Sequence, residues 1–171
     1  MVKTSLRELL QLKSDMYGPE AKKKREIIEE WQSALDRLFA QFRTWLAESD
    51  PTRILAIEEA KAEVNEEYLG RYQVPRIDIK AFDLWLAIIP KARFNVRTAR
   101  PPQYDAPEWA TYSDAEHLTG RVDITNEITR FVLYRYPDPE GNTWYIEGPL
   151  DAGPKPLTRE LFEEAITRYF L

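Results

Sequence analysis

The residues whose types and spacing first suggest chemistry are Asp78 and Lys80, which stand two positions apart in Asp78-Ile79-Lys80. In a strand these two side chains share a face, because successive residues point to opposite faces. A carboxylate placed in this way can bind a divalent cation, and the neighbouring ammonium can stand beside an attacking water. The spacing therefore indicates a candidate site for metal-dependent hydrolysis.

This acid-x-Lys pattern resembles one half of the motif of restriction-endonuclease-like nucleases, and the resemblance covers three residues. Glu59-Ala60-Lys61 offers the same pattern. The nuclease motif also needs a supporting acid upstream, for which Glu66 and Glu67 are the candidates before Asp78. The resemblance implies a divalent-metal-dependent nuclease. The simpler interpretation is a solvated strand face, since charged clusters indicate function only probabilistically.

A second candidate is His117, the single histidine, which lies near Asp114 and Glu116. An imidazole beside a carboxylate can act as a general base. No further group completes a catalytic arrangement, so we favour a surface or loop-packing role for His117. Further along, Arg121 and Asp123 would share a strand face, and we expect them to pair with each other.

A basic stripe is predicted where Lys91, Arg93 and Arg97 alternate along one strand. Such a stripe can bind phosphates or an acidic protein surface, and Tyr104 and Trp109 in the following loop could stack on nucleic-acid bases. However, the chain carries 24 Lys and Arg residues against 29 Asp and Glu residues, whereas nucleic-acid-binding domains usually have excess positive charge. We therefore favour an intramolecular or protein-facing role and keep nucleic acid as the alternative.

An aromatic helix face is the strongest pattern in the chain. It is formed by Trp31, Leu35, Leu38, Phe42 and Trp45. Their spacings of 4, 3, 4 and 3 are those of a coiled-coil heptad. Burial of each large side chain is worth about 2–3 kcal/mol, so this face needs a partner. It packs against the chain's own sheet, or it binds another copy or a different protein through Trp31, Phe42 and Trp45.

Capping and helix-breaking residues on the N-terminal side of this face predict where the helices begin and end. Ser5 and Glu8 have the spacing of a capping box, and Gly18-Pro19 predicts a break between two helices. The second helix should run from about Pro19 to Glu48, which gives an N-terminal helical pair.

Residues 51–69 have two interpretations that periodicity does not separate. Asp50 as N-cap and Gly70 as C-cap would enclose a third helix. Alternatively, Arg53–Glu58 and Ala60–Val64 are two short strands joined at Glu58-Glu59.

Strand patterns dominate the rest of the chain, with a hairpin across 129–147. A final helix from Leu157 to Leu171 has Thr158 as its cap. Runs of strands between helices predict an α+β fold with an antiparallel sheet of about five to six strands. The irregular segment Arg100–Ser113, rich in Pro and aromatic residues, is the main candidate for a functional loop.

Composition removes several function classes. The absence of Cys excludes disulfides, thiolate metal sites and cysteine nucleophiles, and no Gly-rich phosphate loop is visible. We expect no cofactor and no metal. The longest apolar run, Leu84–Ile89, is far shorter than the roughly 20 residues that span a bilayer, and no signal peptide is visible. We expect a cytoplasmic protein without a membrane role.

The predicted organisation is a helical region over 1–49 and an α+β domain over 50–171, packed as one unit. We expect a non-catalytic protein-binding or adaptor protein that uses the aromatic helix face and the Pro/aromatic loop. Its partner would be another protein or a second copy in a homo-oligomer. The alternative is a divalent-metal-dependent nuclease or nucleic-acid-binding protein that uses Asp78, Lys80 and the basic strand face.

Overall fold

The computed structural model describes residues 5–94, 119–138 and 141–171. It consists of a long helix, a sheet and a second helix, which confirms the predicted α+β fold. The helices are α1 (Leu6–Ser49) and α2 (Arg159–Phe170). The strands are β1 (Ala56–Glu66), β2 (Gly70–Ala81), β3 (Leu84–Ala92), β4 (Arg121–Thr125), β5 (Arg130–Asp138), β6 (Gly141–Glu147) and β7 (Lys155–Pro156). The seven strands exceed the predicted five to six.

The predicted N-terminal helical pair is wrong, because α1 runs without a break for 44 residues and contains Pro19. Its start is as predicted: the Glu8 amide donates to Ser5 Oγ at 3.2 Å, and the Ser5 amide donates to Glu8 at 2.8 Å. Proline removes one helical hydrogen bond, but a new helix would need a new nucleus and a cap. Met16, Tyr17 and Gly18 offer no short side-chain oxygen for that cap.

Of the two interpretations of residues 51–69, the third helix is wrong, and the strand interpretation is correct in type but wrong in its division into two strands. There is no third helix here, and the two short strands are one continuous strand, β1. Every residue of β1 pairs with β2, from Ala56 opposite Lys80 to Glu66 opposite Gly70. Asp50 does not start a helix: its carboxylate accepts the Ile54 and Leu55 amides at 2.9 and 2.8 Å and so holds a turn. Long-range pairing with β2 has overridden the local helical pattern.

The sheet is antiparallel throughout, and its strands lie side by side in chain order. The predicted hairpin across 129–147 is confirmed as β5 and β6, which meet with Asp138 opposite Gly141. Between β2 and β3 only two residues, Phe82 and Asp83, form the turn. Neighbouring strands of the sheet are therefore also neighbours in the chain, and the seven described strands include no crossover.

The core lies between one face of this sheet and the two helices. Helix α1 contributes Trp31, Ala34, Leu35, Leu38, Phe39, Phe42 and Leu46, and α2 contributes Phe162, Ala165, Ile166 and Tyr169. The rings of Phe42 and Phe162 stack in parallel with centroids 4.2 Å apart. Thr158 caps α2 as predicted, accepting the Leu161 amide at 3.2 Å. In the part of the chain that the structure describes, neither helix has the length and apolar content needed to cross a membrane.

Candidate functional site

The aromatic helix face packs against the chain's own core, which was one of its two predicted placements. Trp31 and Phe42 are completely buried. The Trp31 ring stacks on Trp144 with centroids 6.1 Å apart. Trp45 is partly buried and contacts Phe42 and Phe162, at 5.9 and 5.5 Å between centroids. In this arrangement a partner protein could reach only Trp45 of the three candidate residues.

The first part of α1 offers a different apolar surface. Every residue from Ser5 to Lys23 is exposed. The large apolar side chains among them are Leu6, Leu9, Leu10, Leu12, Met16 and Tyr17, of which Leu6 is 70% and Met16 65% exposed. We call Leu6–Tyr17 the projecting segment. From the sequence, its leucines indicated only a helix, because periodicity does not show where the sheet beneath a helix ends.

The projecting segment continues the stripe that is buried further along α1. Leu10 and Tyr17 precede Trp31 by whole heptads, and seven residues make nearly two helical turns. They therefore lie on the same side of α1 as the buried Trp31. The sheet reaches this side at Tyr68, whose hydroxyl donates to Glu20 at 2.6 Å. Beyond that contact the apolar stripe faces solvent.

Asp78 and Lys80 lie on β2, but each is engaged in an ion pair. The Arg76 guanidinium donates to Asp78 from Nε at 3.0 Å and Nη2 at 2.8 Å, and Trp85 Nε1 donates to it at 3.2 Å. Lys80 instead lies 3.7 Å from Glu58 on β1. Among the described residues, no three His, Cys, Asp or Glu side chains form a group that could hold a metal ion. These contacts stabilise the sheet and lend no support to hydrolytic chemistry at Asp78.

The Asp78 ion pair predicts a pH dependence of stability. Its hydrogen bonds from Arg76 hold the pKa of the Asp78 carboxyl below its usual value, against the opposing effect of burial. A depressed pKa stabilises the fold above the unfolded-state pKa of about 4 and loses that effect as the pH falls through the folded-state value. We expect Asp78→Asn to lower the unfolding free energy by about 1–2 kcal/mol at pH 7. Urea unfolding should show a smaller difference from wild type at pH 3. An equal difference at both pH values would contradict this assignment.

Arg121 and Asp123 pair with each other, as predicted, and both side chains are completely buried. Arg121 Nε donates to Asp123 Oδ1 at 2.8 Å, and Arg130 Nε lies 3.2 Å from Asp123 Oδ2. Charged residues are almost never buried this deeply unless paired. Sequence spacing identified the pair but gave no indication of its burial.

Arg93, the basic-stripe residue that the structure describes in detail, turns toward α1. Its Nε lies 3.9 Å from Glu30, a carboxylate already held by Arg135. The backbone amides of Arg93 and Phe94 donate to Glu66 at 3.0 and 2.8 Å. Burial lowers the pKa of the Arg93 guanidinium. The side chain thus belongs to a half-buried polar cluster within the chain. Arg97, Tyr104, Trp109 and His117 lie outside the described residues.

A groove at the far end of α1 was not predicted. It has a volume of about 390 Å³ and lies between the end of α1, α2 and the β2–β3 turn. Its apolar lining includes Leu46, Ile54, Leu55, Phe82, Ile166 and Phe170. The groove is assembled from elements more than 100 residues apart, so no local pattern could reveal it.

Phe82, at the rim of this groove, has two unusual features. It is 87% exposed, and its backbone is left-handed, with φ of 56°. A bulky residue with positive φ is a genuine outlier, and such strain costs on the order of 1 kcal/mol or more and is found at functional sites. Strain combined with exposure marks the groove as a candidate binding surface.

Two exposed apolar surfaces therefore stand out among the described residues, the projecting segment and the groove. The charged candidates that the structure describes, Asp78, Lys80 and Arg93, make their contacts within the chain. No family model matches the chain, and searches of curated proteins and solved structures give no match, so a function has to rest on these surfaces.

Proposed function

We propose that this chain is a non-catalytic protein-binding protein whose contact surface is the projecting segment of α1. The observation that carries the proposal is the apolar stripe that continues past the end of the sheet. Scattered exposed hydrophobic residues are ordinary, whereas contiguous apolar patches mark interaction sites. Six large apolar side chains are exposed within three helical turns here.

Both the burial of apolar side chains and the stability of the projecting segment favour the binding of a partner there. Full burial of a Leu or Met side chain is worth about 1.5–3 kcal/mol. Helices of fewer than about 12–15 residues are marginal on their own in water, and the projecting segment joins the rest of α1 through Gly18 and Pro19, which weaken helices. A partner that covers the stripe would gain the burial energy and would stabilise the segment.

The surface has the form expected of helix recognition. Leu6, Leu9 and Leu10 stand at positions i, i+3 and i+4, the spacing with which an amphipathic helix anchors itself in a groove or against another helix. The Pro/aromatic loop lies outside the described residues and plays no part in the proposal. Trp31 and Phe42 act instead by fixing α1 to the sheet, so that the segment is held away from the body.

The test compares a stripe variant with a control at a polar residue. Leu6→Gln with Leu10→Gln removes two anchors but keeps good helix formers. Gln11 lies beside Leu6 and Leu10, and Gln11→Ala leaves every apolar anchor in place. In affinity capture with crosslinking from an extract of the source cells, wild type and Gln11→Ala should retain the same protein, and the double variant should lose it.

The stability of the double variant shows whether a loss of capture is caused by lost contacts or by unfolding. Exposed substitutions of this kind usually change the unfolding free energy by less than about 0.5 kcal/mol, so the circular dichroism and melting temperature of the double variant should match those of wild type. If all three proteins capture the same set, the projecting segment is not the binding surface.

A further inference from the structure

A half-buried polar cluster lies between α1 and the sheet. We call it the Arg93 cluster, and its members are Glu30, Trp31, Glu66, Tyr72, Arg93 and Arg135. Glu30 pairs with both Arg93 and Arg135. The Arg135 guanidinium lies 5.7 Å from the centre of the Trp31 ring, and Glu66 accepts the Tyr72 hydroxyl. The side chains come from α1, β1, β2, β5 and the residue after β3, so tertiary contacts assemble the cluster.

Both carboxylates of the Arg93 cluster are occupied by donors other than the Arg93 guanidinium. Glu66 accepts the Tyr72 hydroxyl, and it accepts the backbone amides of Arg93 and Phe94 at 3.0 and 2.8 Å. Glu30 accepts Nη1 of Arg135 at 3.1 Å and also its Nη2. Arg93 Nε lies 3.9 Å from Glu30, which is beyond hydrogen-bond distance. Glu30 therefore attracts Arg93 without accepting a hydrogen bond from it.

The unsatisfied buried atoms of the Arg93 cluster are all N–H donors. Arg93 Nε, Arg93 Nη1 and Trp31 Nε1 are buried and have no hydrogen-bond partner within the described part of the chain. Both residues lie near Tyr72: burial and the hydrogen bond to Glu66 raise the pKa of its hydroxyl, whereas Trp31 and Arg93 oppose that rise. Buried donors without an acceptor cost free energy and are rare in native structures. The cluster therefore lacks an acceptor.

The charge of the Arg93 cluster favours an anion. Hydrogen bonds from Arg135 hold the pKa of Glu30 below its usual value, and the charges of Arg93 and Arg37 act in the same direction. Three guanidiniums thus act on one carboxylate, and Glu66 is the second carboxylate near Arg93. These five side chains carry three positive and two negative charges, a balance of +1. Solvent reaches the cluster at Glu30, whose side chain is 49% exposed.

We propose that the Arg93 cluster binds a small oxyanion, a phosphate or a carboxylate, through the guanidinium of Arg93. An oxyanion offers acceptors, which the free N–H groups need, whereas a metal cation would meet donors and a positive charge. The planar guanidinium matches the geometry of phosphate and carboxylate oxygens, and hydrogen bonds between charged groups are stronger than neutral ones. The site uses none of the residues of the projecting segment, so this inference goes beyond the proposed function and does not depend on it.

The nearest alternative is an ion pair that only stabilises the fold, with Arg93 closing onto Glu30. The two roles predict different effects of Arg93→Met, which removes the guanidinium and keeps a long apolar side chain. Loss of a stabilising ion pair would lower the melting temperature. Loss of an oxyanion site removes unpaired buried donors, so Arg93→Met should melt no lower than wild type when neither phosphate nor a carboxylate is present.

The experiment titrates the full chain in Tris chloride with inorganic phosphate and, separately, with acetate at constant ionic strength. Calorimetry gives the dissociation constant of each anion, and thermal unfolding gives the stabilisation. Arg93→Met removes the guanidinium, and Arg93→Lys keeps the charge without the planar donors. The matched control is Arg71→Met, which removes from β2 an arginine whose side chain is 74% exposed.

Wild type should bind at least one of the two anions, and the tighter of them identifies the class of ligand. At ten times the dissociation constant, the melting temperature of a chain of this size should rise by about 3–6 °C. Arg93→Lys should bind at least tenfold more weakly, because an ammonium lacks the fork of the guanidinium. Arg93→Met should show no rise, and Arg71→Met should behave like wild type.

Three results would overturn the proposal. A wild type that binds neither anion would exclude the site. An equal rise in wild type and Arg93→Met would show that the anion acts elsewhere or through a general salt effect, since phosphate also stabilises proteins by exclusion from their surface. If Arg93→Lys bound as tightly as wild type, positive charge alone would be sufficient and the free N–H groups would play no part. The capture experiment on the projecting segment is independent of all three.

Discussion

Asp123→Ala is expected to lower the unfolding free energy by about 3–5 kcal/mol, because it removes a buried carboxylate that pairs with the buried guanidinium of Arg121. Both side chains are completely buried, and Asp123 accepts two hydrogen bonds from Arg121, at 2.8 and 3.2 Å. Removing a guanidinium from water costs free energy, and the attraction of a buried counter-ion offsets this cost only while that counter-ion is present. Urea unfolding at neutral pH measures the loss directly.

The control for this substitution is Asp83→Ala, which removes an aspartate from the exposed β2–β3 turn. Its effect should lie within about 0.5 kcal/mol of wild type. If Asp123→Ala cost as little as the control, the Arg121 charge would be stabilised by other contacts, and the buried pair would not be an essential part of the sheet.

The parts of the fold that were predictable from the sequence are those set by neighbouring residues. The capping box of Ser5 and Glu8 and the cap at Thr158 are formed within one helical turn, so their spacing is sufficient evidence. The hairpin of β5 and β6 joins two strands that follow one another closely in the chain. The pairing of Arg121 with Asp123 follows from strand alternation alone.

The predictions that failed each relied on a local signal that a larger free-energy contribution outweighed. Residues 56–66 form a strand because β2 pairs with all of them, and this partner is invisible to a helical-period argument. Helix α1 continues through Gly18 and Pro19 because ending it would require a new nucleus. Gly and Pro lower the stability of a helix by a certain free energy. Whether the helix nevertheless continues depends on the rest of the structure.

The candidate site, like the fold, was predictable from the sequence only where neighbouring residues determine it. The heptad pattern at Trp31 and Phe42 correctly indicated a face that needs a partner, but it could not say whether that partner was the chain's own sheet. The same stripe continues to Leu10 and Tyr17, which are exposed and have none of the described strands beneath them. Sequence periodicity gives the direction of a side chain around a helix, and only the tertiary structure shows what that side chain meets.

Trp31→Ala is expected to cost about 3–5 kcal/mol of unfolding free energy, the usual range for a large aromatic residue in a core. Trp31 is completely buried and stacks on Trp144, so its loss leaves a cavity between α1 and the sheet. A residue that served mainly as an anchor for a partner would lose binding and keep stability. Thermal or urea unfolding of the full chain therefore distinguishes a structural role from a binding role.

Gly120→Ala is the control that tests whether the stability lost in Trp31→Ala comes from the position of the Trp31 ring beside Gly120. A Cβ added at Gly120 would lie 2.3 Å from the Trp31 ring, so Gly120→Ala should destabilise wild type by about 1–3 kcal/mol through overpacking. In the Trp31→Ala background the clash is absent and the same substitution should cost little, so the two effects should not add. Additive effects would show that the Trp31 ring does not rest on Gly120. A strong coupling would show that the Trp31 ring packs against Gly120, next to the start of β4, and that this contact helps to fix α1 on the sheet.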